Sequence, residues 1–279
     1  MASRHWPPRE EQSVTSGRKS RELRRQQQAA QTAAAEKAFP DPRLLTFPVK
    51  ELDGKPVSEP TFAFPVDRLR LPDKRVLAFH QPTMPGFFLV TASQLLEEGE
   101  RQRQEVMAAI RVPADRLDYA DVNVSDDAAA LDAIGNIAAA IILSAAAVEA
   151  YANECVDRLK DSVIVDVERG GAMQTVRKSE MVRRLSLEEK LDLVVPKAAG
   201  VASIKGKGPW EKFKRLNELR GEVVHYKPRG KTDDPDIKSA LGRLLTGEGS
   251  NCVTDAAAVV TAYEPTVLPE STRQALGLG

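Results

Sequence analysis

The longest regular signal in the chain is an apolar stripe: Leu131, Ile134, Ile137, Ile141, Ala145, Val148, Ala152, Cys155 and Leu159 recur at spacings of three or four. Side chains so spaced share one face of a 3.6-residue helix, so the pattern predicts a long helix over 125–159, buried along one side. Ser125 suits its N-cap, with Asp126 and Asp127 in the first turn, where the helix dipole favours anions. Ser186-Leu-Glu-Glu189 is a capping box, and the apolar run LEEKLDLVV behind it is expected to stop at Pro196. Pro209 suits the first turn of a further helix, WEKFKRLNELRGEVVHY. There Phe213, Leu216, Leu219 and Val223 form the inward face, and Pro228 ends α geometry near Lys227. Asp234-Pro235 caps IKSALGRLL, and Ser250 starts a last helix through AAAVVTAY. Residues 121–265 therefore read as a mainly α fold, a helical bundle.

Outside this region the pattern weakens. Residues 1–38 are rich in Arg, Gln, Ala and Ser and poor in large hydrophobic groups, which predicts a disordered basic tail. Residues 40–120 form a Pro-rich segment with short strands, partly β and partly irregular, because dense prolines exclude long helices and favour edge strands. One helix is expected there, starting at the capping box Thr91-Ala-Ser-Gln94 and running to about Ile110. Residues 266–279 are expected to be a flexible C-terminal tail.

Composition adds little until it is read locally. Lys+Arg and Asp+Glu both number 40, so net charge names no partner. Between Val201 and Lys231, however, nine Lys/Arg face three Asp/Glu, a basic region suited to phosphate or to an acidic protein surface. Between Pro113 and Asp132 six Asp face one Arg. The two cysteines, Cys155 and Cys252, are far apart in no metal or redox spacing, which predicts two buried thiols in a reducing compartment. The N-terminus lacks an apolar signal core, and the run Ala133–Val148 is short for a membrane span, so a cytoplasmic protein with no membrane partner is expected.

Several apparent motifs dissolve on inspection. GVASIKGKG resembles a phosphate loop, but its glycine spacing is one residue too long, Gly208 stands where Ser/Thr would bind magnesium, and no strand precedes it. It reads as a flexible basic loop. His5, His80 and His225 are isolated from one another and from clustered carboxylates, so no metal site and no cofactor are predicted. His80 reads as a strand-end or turn histidine, Asp233, Asp234 and Asp236 as helix caps, and Trp210 as a packing anchor.

The stretch LRGEVVHYKPR sets Arg220 five residues before His225, with Gly221 between. Five residues on a helix advance about 7.5 Å and turn about 140°, so the pair occupies adjoining faces. Together with SAAAVEAYANE on the first long helix and SLEEKLDLVV before Pro209, this order resembles the HEPN superfamily of small helical domains over roughly 121–265. That family's motif is an arginine followed, after four to six residues, by a histidine near the end of its third or fourth helix; Arg220 and His225 match it. An acidic residue on the first helix accompanies the family's pair, and Glu149 occupies the matching place. One departure is Gly221, where the family commonly has a polar residue such as asparagine.

The resemblance implies a metal-independent endoribonuclease, acting as a homodimer on RNA. In that role it would be a toxin or defence effector with an antitoxin-like or defence-system partner protein. The chemistry is coherent. An imidazole moves a proton near neutral pH, and a guanidinium holds a phosphate bidentately. Arg220, His225 and Glu149 are the catalytic candidates. Asn153, Lys214, Tyr226, Lys227 and Arg229 are the substrate-binding candidates. Glu149 and Asn153, one turn apart, either orient the pair or cap each other at the bundle edge. Some family members are non-catalytic modules that bind RNA or a protein, which is the alternative reading. A third is an assembly subunit docking through the Pro-rich segment.

Overall fold

The computed structural model describes residues 47–52, 55–63, 66–72, 74–80, 82–109, 127–225 and 240–278. The tail 1–38, the helix caps expected at Ser125 and Asp234-Pro235, and most of the acidic stretch 113–132 lie outside the described residues.

The Pro-rich segment contains two antiparallel hairpins, β1 (Phe47–Leu52) with β2 (Lys55–Ala63), and β3 (Val66–Arg70) with β4 (Val76–His80). Each is a two-stranded sheet, so every strand has an open edge, and that is why Pro48, Pro56 and Pro60 fit within β1 and β2. His80 ends β4, at the strand end expected for it.

Helix α1 (Met84–Ala109) begins seven residues before the expected start at Thr91. Thr83 supplies the cap: its hydroxyl oxygen accepts the Gly86 N–H at 3.0 Å. Pro85 sits in the first turn, where no N–H is needed, so it opens this helix instead of breaking it. Thr91 lies inside the helix and donates its hydroxyl to the Phe87 carbonyl at 2.8 Å.

Helix α2 (Asp127–Arg158) carries the long stripe. Ile137, Ile141, Val148, Ala152 and Cys155 are fully buried, whereas Leu131 is 66% exposed, so the buried stripe begins at Ala133. By length and composition α2 is apolar enough to cross a membrane; 44% of its most apolar window is buried inside the molecule. The Ala133–Val148 run taken alone understated that length. Helices α1 and α2 cross closely at Gly99, where a Cβ would lie 2.8 Å from Ile137 Cγ1, and Asn136 donates to Gln102 at 3.0 Å beside the crossing.

A third hairpin interrupts the helical region: β5 (Ile164–Arg169) and β6 (Ala172–Arg177), joined by Gly170-Gly171 with φ of +58° and +77°. The period-two alternation in IVDVER and the Gly-Gly turn carry its signal, since both central residues of such a turn need positive φ. Val165, Val167 and Val176 point inward into a small cluster with Val156, Met181 and Leu185.

After α3 (Lys178–Arg184), Ser186 and Glu189 form the capping box as expected, with Ser186 N–H donating to the Glu189 carboxylate at 2.7 Å and Glu189 N–H donating to the Ser186 hydroxyl at 3.2 Å. The helix it opens, α4 (Leu187–Glu189), passes through a π segment, Lys190–Val194, into α5 (Val195–Ala199). Pro196 therefore does not end it. The π turn bonds Val195 N–H to the Lys190 carbonyl and delivers Pro196 into the first turn of α5, where its missing N–H costs nothing. Gly200, with φ of +69°, ends the run.

The remaining helices are α6 (Gly208–Val224), α7 (Ala240–Leu245), α8 (Cys252–Tyr263) and α9 (Glu270–Ala275). Helix α2 packs against α1, α6 and α8, so the long helix and the Arg220 helix lie side by side, as the two stripes required. Both cysteines are buried free thiols. The expected C-terminal tail is instead an ordered element: Leu268 and Thr272 are buried, because LPESTRQAL places them on one side of α9, which meets α1. The fold is mainly α.

Candidate functional site

Helix α6 is built from its inward face. Trp210, Phe213, Leu216 and Leu219 are buried, with Trp210 and Phe213 rings 5.3 Å apart, so Trp210 is the packing anchor expected of it. Arg220 follows Phe213 by seven residues and Leu216 by four, so it leaves the helix on this same inward side, at the far end of the stripe. It is half-buried, and among the described residues no hydrogen bond or ion pair engages it.

Arg215 on the same helix and Arg243 on α7 behave otherwise. Arg215 Nε donates to the Asp255 carboxylate at 3.0 Å, and Asp255 is 3% exposed. Arg243, on α7, binds Glu218 at 3.2 Å, Glu222 at 2.5 Å and Glu248 at 2.6 Å. Glu218 and Glu222 flank Arg220 in sequence, but two residues either way turn about 200° on a helix, so they serve Arg243 on the opposite side. Glu218 and Glu222 thus turn to Arg243, and among the described residues Arg220 has no ion-pair contact.

His225 is the C-cap of α6, exposed, with φ of −109° and its N–H on the Gly221 carbonyl at 2.9 Å. The helix ends at Val224, three residues before Lys227, so His225 has already left α geometry. Among the described residues no contact joins it to Arg220. A Cβ at Gly221 would meet nothing within 4 Å, so packing does not demand glycine there. Lys214 is exposed on α6, six residues before Arg220; Tyr226, Lys227 and Arg229 lie outside the described residues.

Glu149 and Asn153 are half-buried on α2, and the structure gives them a different companion from those weighed on sequence: Lys190, the first residue of the π segment. Its ammonium donates to the Asn153 side-chain oxygen at 2.9 Å, and the residue is only 2% exposed. Burial pulls the Lys190 pKa below the usual lysine range, and the negative charge of Glu149 opposes that pull. Sequence reading missed Lys190, although its spacing signals it: it falls three residues after Leu187 and four before Val194, on the apolar face. Glu149 and Asn153 therefore serve a buried cation.

The loop 200–208, expected to be flexible, is tied down. Ile204 is buried, Lys205 donates to Asp192 at 2.7 Å and lies 5.9 Å from the Trp210 ring centroid, and Ser203 donates to Asp192 at 2.8 Å. Burial raises the Asp192 pKa, but the hydrogen bonds from Lys205 and Ser203 outweigh it and hold the carboxyl below its ordinary value. Among the described residues no group of three or more His, Cys, Asp or Glu is placed to hold a metal ion.

Among the described residues the arrangement presents a half-buried guanidinium without an ion-pair contact on an inward helix face and an exposed imidazole at the end of the same helix. Compared with protein-family models, curated proteins and solved structures, the chain matches none.

Proposed function

We propose that the C-terminal end of α6 binds the phosphate backbone of RNA, and that the bundle is a HEPN-type, metal-independent endoribonuclease when two copies associate. The observation that supports this reading is Arg220: among the described residues, a half-buried guanidinium without a carboxylate partner while Arg215 and Arg243 are each paired. An uncompensated, partly desolvated cation of fork geometry suits a phosphate. His225 is exposed five residues on, accessible to substrate. In the cleavage step His225 takes the proton of a ribose 2′-hydroxyl, the 2′-oxygen attacks phosphorus, and the bond to the 5′-oxygen breaks as that oxygen receives a proton. Arg220 stabilises the charge developing on the phosphoryl oxygens. The products are a 2′,3′-cyclic phosphate and a 5′-hydroxyl end. A two-fold copy would bring a second Arg220/His225 pair to a site that one chain leaves open. A toxin or defence role, with an antitoxin-like partner, is the biological setting this activity fits.

The non-catalytic reading also has its observation: Asn153 is occupied by Lys190, and Gly221 stands where the family commonly has a polar residue. Incubating the purified protein with labelled RNA in EDTA, with light scattering for the oligomer, separates the two. Cleavage to cyclic-phosphate ends, lost in Arg220→Ala and His225→Ala and absent on DNA, supports the nuclease. Retention of RNA without cleavage, weakened by Arg220→Ala, leaves the binding module. Neither cleavage nor Arg220-dependent retention sinks both.

A further inference from the structure

The hairpin β5–β6 has a free edge that no part of the proposed RNA site uses. Between it and the α4–π segment runs a groove of about 530 Å³, lined by Asp166, Val167, Glu168 and Met173 of the hairpin and by Glu188 and Leu193 opposite, with Lys205 at one end. Three consecutive β5 residues line it. Alternate residues of a strand point to opposite faces, so a groove that touches three in a row runs along the strand's edge.

The turn chemistry says which backbone groups that edge offers. A two-residue hairpin loop is closed by a hydrogen-bonded pair, here Arg169↔Ala172, so Val167↔Gln174 and Val165↔Val176 also exchange bonds within the hairpin. Asp166 and Glu168 therefore turn their N–H and C=O groups outward. Among the described residues no backbone hydrogen bond reaches them from another segment. An open edge of this kind is a template for one more strand.

Charge selects what that strand carries. Near the groove Arg169 is taken by Glu189 at 2.6 Å, and Lys205 by Asp192 at 2.7 Å. That leaves Asp166, Glu168 and Glu188 without an ion-pair contact among the described residues. Asp166 accepts only the Thr175 hydroxyl, at 2.7 Å, and Lys205 attracts Glu188 only from beyond contact distance. Asp166 and Glu168 stand on the exposed face of β5, with Met173 directly across from Glu168, while Val167 and Leu193 supply the apolar side.

We infer that this groove binds an extended basic segment of a partner protein, which adds to β5 as a third strand with Lys or Arg at alternate positions facing Asp166, Glu168 and Glu188. Main-chain bonds to Asp166 and Glu168 supply the attachment, and the carboxylates supply the preference. Aliphatic residues at the intervening positions meet the apolar side. This site is separate from Arg220, and its test does not depend on any RNA activity.

The test uses the full chain and a fluorescent six-residue peptide, Thr-Lys-Val-Lys-Val-Arg, followed by anisotropy in low salt. Saturable binding is expected. It should weaken roughly fivefold in the double variant Glu168→Gln/Glu188→Gln, as two exposed charge pairs allow. Peptide N-methylated at the amides facing β5 should lose saturable binding, because it cannot pair with the edge. Glu168 and Glu188 are exposed and make no side-chain hydrogen bond or ion pair among the described residues, so circular dichroism of the variant should match the parent. Absence of saturable binding, equal binding of the peptide with Glu in place of Lys and Arg, or indifference to N-methylation or to the double variant would each overturn the proposal.

Discussion

The two halves of α6 (Gly208–Val224) carry similar residues and treat them differently. Toward its N-terminus Trp210 and Phe213 are buried, Lys205 and Asp192 are paired beside the indole, and Arg215 grips the buried Asp255. Toward its C-terminus the apolar stripe continues through Leu216 and Leu219, but among the described residues the cation at its end, Arg220, meets no anion, and the histidine beyond it is exposed. The more exposed arginine, Arg215, has a buried carboxylate partner, whereas the half-buried Arg220 has no ion-pair contact among the described residues. Lys190 sharpens the contrast. It is more deeply buried than Arg220, yet it has Asn153 in contact and Glu149 near. Burial alone thus does not leave a cation without a partner in this fold.

The largest effect should come from the closed end. Trp210→Ala removes a buried aromatic that fills the junction of α6 with Ile204 and Phe213, and should cost roughly 3–5 kcal/mol in urea unfolding. Next, Asn153→Ala leaves the buried Lys190 ammonium without its hydrogen-bond acceptor and should cost about 2 kcal/mol by the same measurement. Arg215→Ala should cost about 1–2 kcal/mol, because it strands the Asp255 carboxylate inside the protein. If Arg215→Ala proves silent, the contrast along α6 fails.

Lys190 also predicts a pH signature. Above the ordinary lysine value of 10.5 its amine is neutral in folded and unfolded chains alike, so burial of charge costs nothing. Below its depressed folded value it is charged in both, and the cost is fully present. Between the two, the unfolded chain binds more protons and stability rises with pH, by at most about 1.4 kcal/mol per pH unit. Tyr263, pushed up to about 12 by burial, works in the opposite sense above its ordinary value of 10, so the measurement is the difference between the parent protein and Lys190→Met across pH 8–10.5. Loss of the rise in Lys190→Met is expected; parallel curves would mean that Lys190 is charged at no cost.

The smallest effect on stability is the one that matters for function. Arg220→Ala should change unfolding free energy by no more than about 0.5 kcal/mol, since no hydrogen-bond or ion-pair partner among the described residues is lost. Its RNA retention should fall all the same. A large destabilisation would show that the guanidinium is structural and remove the ground for the proposed site.

The sequence by itself determined the helices whose signals are local. The stripe on α2, the Ser186–Glu189 capping box and Pro209 at the start of α6 each need only residues within a few turns, and each is where the spacing predicted. The β5–β6 hairpin was equally present in IVDVER, Gly170-Gly171 and AMQTVR, but helical stripes on either side masked a period-two signal that occupies only a few residues. Pro85 and Pro196 were misread for one reason. A proline stops a helix only where its missing N–H and ring meet a preceding turn, and Thr83 and the π segment put each in a first turn instead. Tertiary structure alone decided the site. That Asn153 serves Lys190, that Glu218 and Glu222 turn to Arg243, and that Arg220 is left over follow from which helix faces meet across the bundle. Residues 37, 21 and 25 positions apart are brought within hydrogen-bond reach by packing that no spacing along one helix encodes.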